Sequence, residues 1–167
     1  MATTPELQRL RAQHGPAILV FEMENRAYFA ASISDRGDEF FEHFSDQYDE
    51  LLAEQETGRD AYFVLVEAGG AVIGRFNLVH ISDGDAELGY RVAQRVAGRG
   101  VATASVQEVC RLAASQFGLR TLRARTTHDN IGSQKVLTKA GFTPCGSTNI
   151  KGRPGTWYRR ELAGGST

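Results

Sequence analysis

Arg95-Val96-Ala97-Gly98-Arg99-Gly100-Val101-Ala102-Thr103 decides the reading of this chain, because it stands where a strand pattern gives way to a helix pattern. The first turn of a helix carries N–H groups with no internal partner and a partial positive charge, so it is a natural seat for phosphate. Gly98 and Gly100 remove the side chains that would keep a phosphate away from those N–H groups. Arg95 and Arg99 add positive charge at the same end. Taken alone, a Gly-x-Gly also makes an ordinary tight turn between strand and helix. Two other phosphate loops do not fit: a dinucleotide fingerprint needs a third small residue where Thr103 stands, and a P-loop needs Gly-Lys-Ser/Thr, a tripeptide this chain lacks.

Working outward, Ala102, Val106, Val109, Ala113 and Phe117 share a helical face after the loop, and Gly118 stops that helix. Before the loop, Ala61–Glu67 reads as a strand, Gly69-Gly70 as a hairpin turn, Val72–Ile81 as the partner, and Ala86–Val92 as a third antiparallel strand. Thr121–Thr126 is a further strand reached through a crossover helix, and is therefore parallel to the one before the loop. Asn130 or Ser133 caps a second helix carrying Val136, Leu137 and Ala140, which Gly141 ends. Strands follow at Phe142–Ser147 and Trp157–Leu162 around a Lys151–Gly155 turn, and Ala163–Thr167 is expected to fray.

The N-terminal third reads as helical. Phe40, Phe41, Phe44, Tyr48, Leu51 and Leu52 recur at three- and four-residue steps among acids, and Pro16–Ile33 keeps helical spacing through Leu19, Met23, Ala27 and Ala30. Leu7–Arg11 is a candidate first strand. The sum is a mixed α+β sheet with helices on its faces.

The length of 167 residues suits a single domain. Hydrophobic residues at 41% and charged residues at 23% mark a globular chain rather than a disordered one. With 19 Lys+Arg against 20 Asp+Glu, no overall field favours nucleic acid or an anionic membrane. No apolar run approaches the roughly 20 residues of a membrane span, and Met1–Pro5 with Glu6, Arg9 and Arg11 does not read as a secretory signal, so the expected location is the cytoplasm. Cys110 and Cys145 are too isolated for a disulfide framework or a metal site, and both are expected to be buried thiols. His14, His43, His80 and His128 do not cluster, so no metal is expected.

Three ordered pieces lift the loop above its tight-turn reading: Ala86-Glu87-Leu88-Gly89-Tyr90-Arg91-Val92, then Arg95-x-x-Gly98-x-Gly100, then Asn130-x-x-Ser133 with Gly141-Phe142. Together they resemble the GNAT acyl-CoA N-acyltransferases, whose signature loop is Gln/Arg-x-x-Gly-x-Gly/Ala, and within them the ribosomal-protein-alanine N-terminal acetyltransferase branch. The resemblance spans most of Tyr62–Phe142.

It implies a mostly antiparallel, splayed sheet of six to seven strands with helices on both faces, and acetyl-CoA as cosubstrate. By that resemblance Val92 and Ala93 contact the pantetheine arm, and the amides of Gly98, Arg99, Gly100, Val101, Ala102 and Thr103 hold the pyrophosphate. Asn130 is either a simple N-cap or a ligand of the backbone or pantetheine at the splay. Ser133, one turn on, lies on the same face.

Acetyl transfer to an amine needs a neutral nucleophile, an oxyanion donor and a proton for the thiolate. The resemblance places the oxyanion donor at a backbone N–H near Val92. Glu87 is the candidate base, its alternative being a solvated strand carboxylate, and His128 is held in reserve. Many relatives carry a tyrosine seven residues after the Asn130 position, but this chain has Leu137 there. The proton-donor role passes to Ser133, as the ribosomal-protein branch implies. Between Phe142 and Arg160 there is no carboxylate, which throws weight onto Glu87. Trp157 and Tyr158 pack the last strand or line the acceptor pocket.

The expected acceptor is a protein or peptide α-amine, with a small-molecule amine (antibiotic, polyamine or amino acid) or a non-catalytic acyl-CoA-binding module as alternatives. Glu22, Glu24, Asp46, Asp49, Glu50 and Glu54 either suit a cationic acceptor or make a solvated helix face. The expected assembly is a monomer or homodimer.

Overall fold

A computed structural model describes residues 4–162, so the expected fraying of Ala163–Thr167 lies outside the described residues. Seven strands form one sheet in the order β1-β2-β3-β4-β5-β7-β6: β1 (Glu6–Arg9), β2 (Ala61–Val66), β3 (Val72–Ser82), β4 (Asp85–Val92), β5 (Thr121–Thr127), β6 (Thr143–Ile150) and β7 (Arg153–Glu161). Six α-helices accompany them: α1 (Gly15–Glu24), α2 (Arg26–Ala30), α3 (Asp38–Glu42), α4 (Phe44–Glu56), α5 (Val101–Phe117) and α6 (Ile131–Lys139). The mixed, mostly antiparallel fold is the one expected.

Two compact units divide the chain: residues 4–77 with Tyr90–Ala97, and Leu78–Gly89 with residues 98–162. In the first, β1 pairs antiparallel with β2, from Glu6↔Val66 to Arg9↔Phe63. The β2 residues Ala61–Leu65 are all buried, as an inner strand requires. The helical reading of Pro16–Ile33 holds with two corrections: the second helix ends at Ala30, short of Ile33, and the run is broken at Asn25. Its Nδ2 donates to Phe21 O at 2.9 Å, and its backbone leaves the helix at φ −105° and ψ 9°. The aromatic stripe is likewise cut at His43, leaving Phe44 and Tyr48 buried and stacked at 5.6 Å between ring centroids.

In the second unit, α5 buries Ser105, Val106, Val109, Cys110 and Ala113 and ends on the left-handed Gly118. It carries the chain across to β5, which is parallel to β4 as the crossover demands. The last hairpin corrects the sequence reading. Both strands extend further than expected, to Ile150 and from Arg153, because Lys151 (φ 49°) and Gly152 (φ 86°) alone make the turn. β7 inserts between β5 and β6, pairing antiparallel with both. Cys110 is buried, but Cys145 is exposed, against expectation, because it stands on β6 at the sheet edge.

Candidate active site

The Arg95–Thr103 stretch forms in three steps. Ala93 is extended, Gln94–Val96 make one 3-10 turn, and α5 begins at Val101. Gly98 (φ 74°) and Gly100 (φ 79°) both lie in the left-handed region, and a Cβ at either would meet nothing within 4 Å. The glycines therefore serve backbone conformation and an open approach rather than close packing. No side chain caps α5 at Gly100, so the first-turn amides of Val101, Ala102 and Thr103 point outward without an intrahelical partner. Arg99 is exposed beside them. An anionic pyrophosphate fits this donor set.

Arg95 is differently placed from the expectation that it adds free charge. Its guanidinium lies against the Glu67 carboxylate in a two-point pair, at 3.0 and 2.5 Å. Arg95 thus anchors the start of the loop to the end of β2. Asn25, not picked out from the sequence, does the same from α1: its Oδ1 accepts the Gln94 N–H at 3.0 Å while its side chain is buried. Ala93 is buried, and its N–H donates to Ile73 O at 2.9 Å. Val92 is half-buried beside it.

Within the second unit, the parallel register between β4 and β5 runs over Asp85↔Thr121, Ala86↔Leu122 and Glu87↔Arg123. Leu88 and Gly89 follow on β4 and Ala124–Thr127 on β5, outside that register. Glu87 stands at its end, half-buried, with Arg125 Nε 3.2 Å from its Oε2. One step back, Arg123 Nε is 3.2 Å from Asp85 Oδ2. Both guanidinium groups lie over the Trp157 ring, at 5.3 and 5.2 Å from its centroid. Glu87 is therefore held in an ion pair rather than standing as the solvated strand carboxylate. The alternation of β5 explains the layout: Arg123 and Arg125 point to the charged face while Leu122 and Ala124 are buried.

Asn130 is the N-cap of α6, its Oδ1 accepting the Ser133 N–H at 3.2 Å. Ser133 is half-buried on the first turn. Leu137 is a core side chain, 1% exposed, which accounts for an apolar residue in that position. Tyr158 is buried in β7, as packing required. His128 is exposed, with Nε2 3.1 Å from Thr156 Oγ1. No group of metal-ligating side chains occurs among the described residues, and no described helix is long and apolar enough to cross a membrane.

The largest departure concerns Glu22. Expected as a solvated or acceptor-facing acid, it is 1% exposed. Its Oε1 accepts from Arg36 Nε (2.9 Å) and Arg91 Nη1 (3.1 Å), and its Oε2 from Arg75 Nη1 (2.8 Å) and Arg36 Nη2 (3.1 Å). Burial works against its ionisation, but the Arg36 hydrogen bonds and the charges of Arg36, Arg91 and Arg75 outweigh burial and hold its pKa below the usual 4.5. The sequence signal was present: an acid ending the apolar run Ala17–Phe21.

With the loop, the strand register and the capped helix in place, the class is defined. Residues 6–143 match the acetyltransferase (GNAT) domain family, and the chain belongs to it; it is an acetyl-CoA-dependent acetyltransferase. Among solved structures, it is similar to a ribosomal-protein-S5-alanine acetyltransferase from Vibrio fischeri, at 18% identity and TM-score 0.89, over 98% of this chain and 96% of that one. It is also similar to RimJ from Mycobacterium smegmatis in complex with a CoA disulfide (19% identity, TM-score 0.83, 96% and 86% covered). A third is spermidine N-acetyltransferase from Vibrio cholerae in complex with CoA and spermine (17% identity, TM-score 0.80, 96% of each chain covered). No curated protein gives a significant sequence match.

Proposed function

We propose that the chain, acting as one domain, transfers the acetyl group of acetyl-CoA to the α-amine of a protein or peptide. The observation that carries the cofactor part is the pair of left-handed glycines opening onto the uncapped first turn of α5. Bound there, acetyl-CoA supplies an activated thioester. The amides from Gly98 to Thr103 and the Arg99 guanidinium hold its pyrophosphate, while Val92 and Ala93 line the pantetheine. Arg95 acts through Glu67, fixing the loop's entry rather than touching phosphate.

Glu87 takes the proton that the acceptor ammonium must lose before it attacks, directly or through water. Its pairing with Arg125 fixes the carboxylate in one place but has to loosen for proton uptake. A backbone N–H near Val92 polarises the acetyl carbonyl. Ser133 orients the departing sulfur or donates to it, with Asn130 organising the helix turn that carries it. The similarity to ribosomal-protein acetyltransferases favours the α-amine, while that to spermidine acetyltransferase supports a polyamine as the second reading.

A thiol-release assay with peptides bearing a free α-amine, the same peptides blocked at that amine, and spermidine tests this. Turnover confined to free α-amines is expected. Turnover with spermidine and not with peptides would replace the acceptor.

A further inference from the structure

Thr126 stands one residue inside the carboxyl end of β5 and is 4% exposed, and its Oγ1 is the buried side-chain oxygen among the described residues that meets no hydrogen-bond partner. The hydroxyls around it are taken. Thr156, opposite it on β7, shares a hydrogen bond between its Oγ1 and His128 Nε2 at 3.1 Å, and Thr127 Oγ1 donates to Asp129 Oδ1 at 2.6 Å. Nor is the strand free to shift towards a partner. A Cβ at Gly155 would lie 2.6 Å from Thr126 O, so β7 approaches β5 closely here and fixes its backbone.

A hydroxyl in this state costs stability, because it has left water without gaining a partner in the protein. Valine has nearly the same shape, suits a strand as well and carries no such cost. The topology indicates what the hydroxyl waits for. α5 leaves the end of β4 and returns the chain to the start of β5, so the first turn of α5 and the carboxyl end of β5 lie at the same end of the parallel pair. With pyrophosphate on the α5 amides, the next atoms of acetyl-CoA are those of the pantetheine arm, which carries amides. The register of β5 with β4 stops at Glu87↔Arg123, whereas that with β7 runs on to Thr127↔Gly155. Thr126 lies in the stretch beyond Arg123. Alternation puts its side chain with those of Leu122 and Ala124, on the face that α6 covers, away from Arg123 and Arg125.

We propose that Thr126 is a cofactor-binding residue whose hydroxyl hydrogen-bonds an amide of the pantetheine arm. A hydroxyl both donates and accepts, so either polar group of an amide satisfies it. The bond forms only when the cofactor is present, and the cost of the unpartnered hydroxyl in the free protein is offset on binding. This assignment rests on the pyrophosphate placement proposed above and deepens it by adding β5 to the cofactor's contacts.

The test compares Thr126→Val with wild type by the denaturation midpoint of the free protein and by calorimetric titration with two ligands. One is CoA; the other is 3′-phosphoadenosine 5′-diphosphate, the nucleotide half without the pantetheine. The expected result is a midpoint at or above that of wild type, a CoA dissociation constant raised at least fivefold, and a nucleotide constant within twofold. A lower midpoint would mean that the hydroxyl already has a partner, such as a trapped water, and would overturn the assignment. Unchanged CoA affinity, or equal losses on both ligands, would overturn it too.

Should Thr126→Val not fold, Thr126→Ser and Thr126→Ala isolate the hydroxyl, since both lack the methyl group. Ala is then expected to bind CoA at least fivefold more weakly than Ser, and equal affinities overturn the assignment. Gly98→Val keeps the two readings apart. Nucleotide binding left intact by that variant would remove the pyrophosphate from the loop. Nucleotide binding lost there, with CoA affinity unchanged in Thr126→Val, would remove Thr126 alone.

Discussion

Glu87 on β4 and Arg125 on β5 are joined by an ion pair, Nε to Oε2 at 3.2 Å, where the parallel register between the two strands ends. Under the proposed function, Glu87 as base is held ready by a partner that it must partly release. Glu87→Gln is expected to lower kcat at least tenfold and to leave the acetyl-CoA dissociation constant within twofold. Arg125→Ala is expected to keep more activity than Glu87→Gln. Equal, small losses in both variants would reduce Glu87 to a strand ion pair. Steady-state kinetics with calorimetry separates these outcomes.

The loop glycines give a second expectation. A side chain at φ 74° or 79° is strained by roughly 1–2 kcal/mol and would occupy the open space through which a phosphate approaches the amides. Gly98→Val and Gly100→Val should raise the acetyl-CoA dissociation constant at least tenfold, about 1.4 kcal/mol, with the melting temperature as a folding control.

Glu22 makes a stability prediction. Removing one partner of a buried, hydrogen-bonded charge group typically costs about 3–5 kcal/mol, so Glu22→Gln should lower the denaturation midpoint strongly. The acid limb follows from linkage. Because its pKa is lower folded than unfolded, Glu22 stabilises the fold fully above the ordinary value of 4.5, and that contribution disappears as pH falls through the folded value. Chemical denaturation across this range should show a smaller acid loss in Glu22→Gln than in wild type.

Asn130 separates structure from catalysis. Its Oδ1 caps α6 through the Ser133 N–H, and losing such a cap costs about 1 kcal/mol. Asn130→Ala should lose that stability. Asn130→Asp, which still accepts the bond, should recover it, and a thermal melt reads both.

Much of this was legible in the sequence because it is local. The glycines, the helix stops at Gly118 and Gly141, the crossover that makes β5 parallel to β4, and the Asn130 cap all follow from neighbouring residues. The pairings across distance were not. Glu22 looked like any helix acid until Arg75 and Arg91, 53 and 69 residues away, closed on it. Arg95 read as phosphate charge, yet Glu67 lies 28 residues upstream and holds it. The break at Asn25 was hidden because helical spacing continued through Ala27 and Ala30, while the side chain was needed at Gln94.

The most direct test of the central claim uses a peptide with one free α-amine and one lysine, incubated with the protein and isotope-labelled acetyl-CoA and mapped by tandem mass spectrometry. A single labelled acetyl group on the N-terminal residue, absent with Glu87→Gln, is the predicted result. Label on the lysine side chain, or no label while CoA still binds, would contradict it.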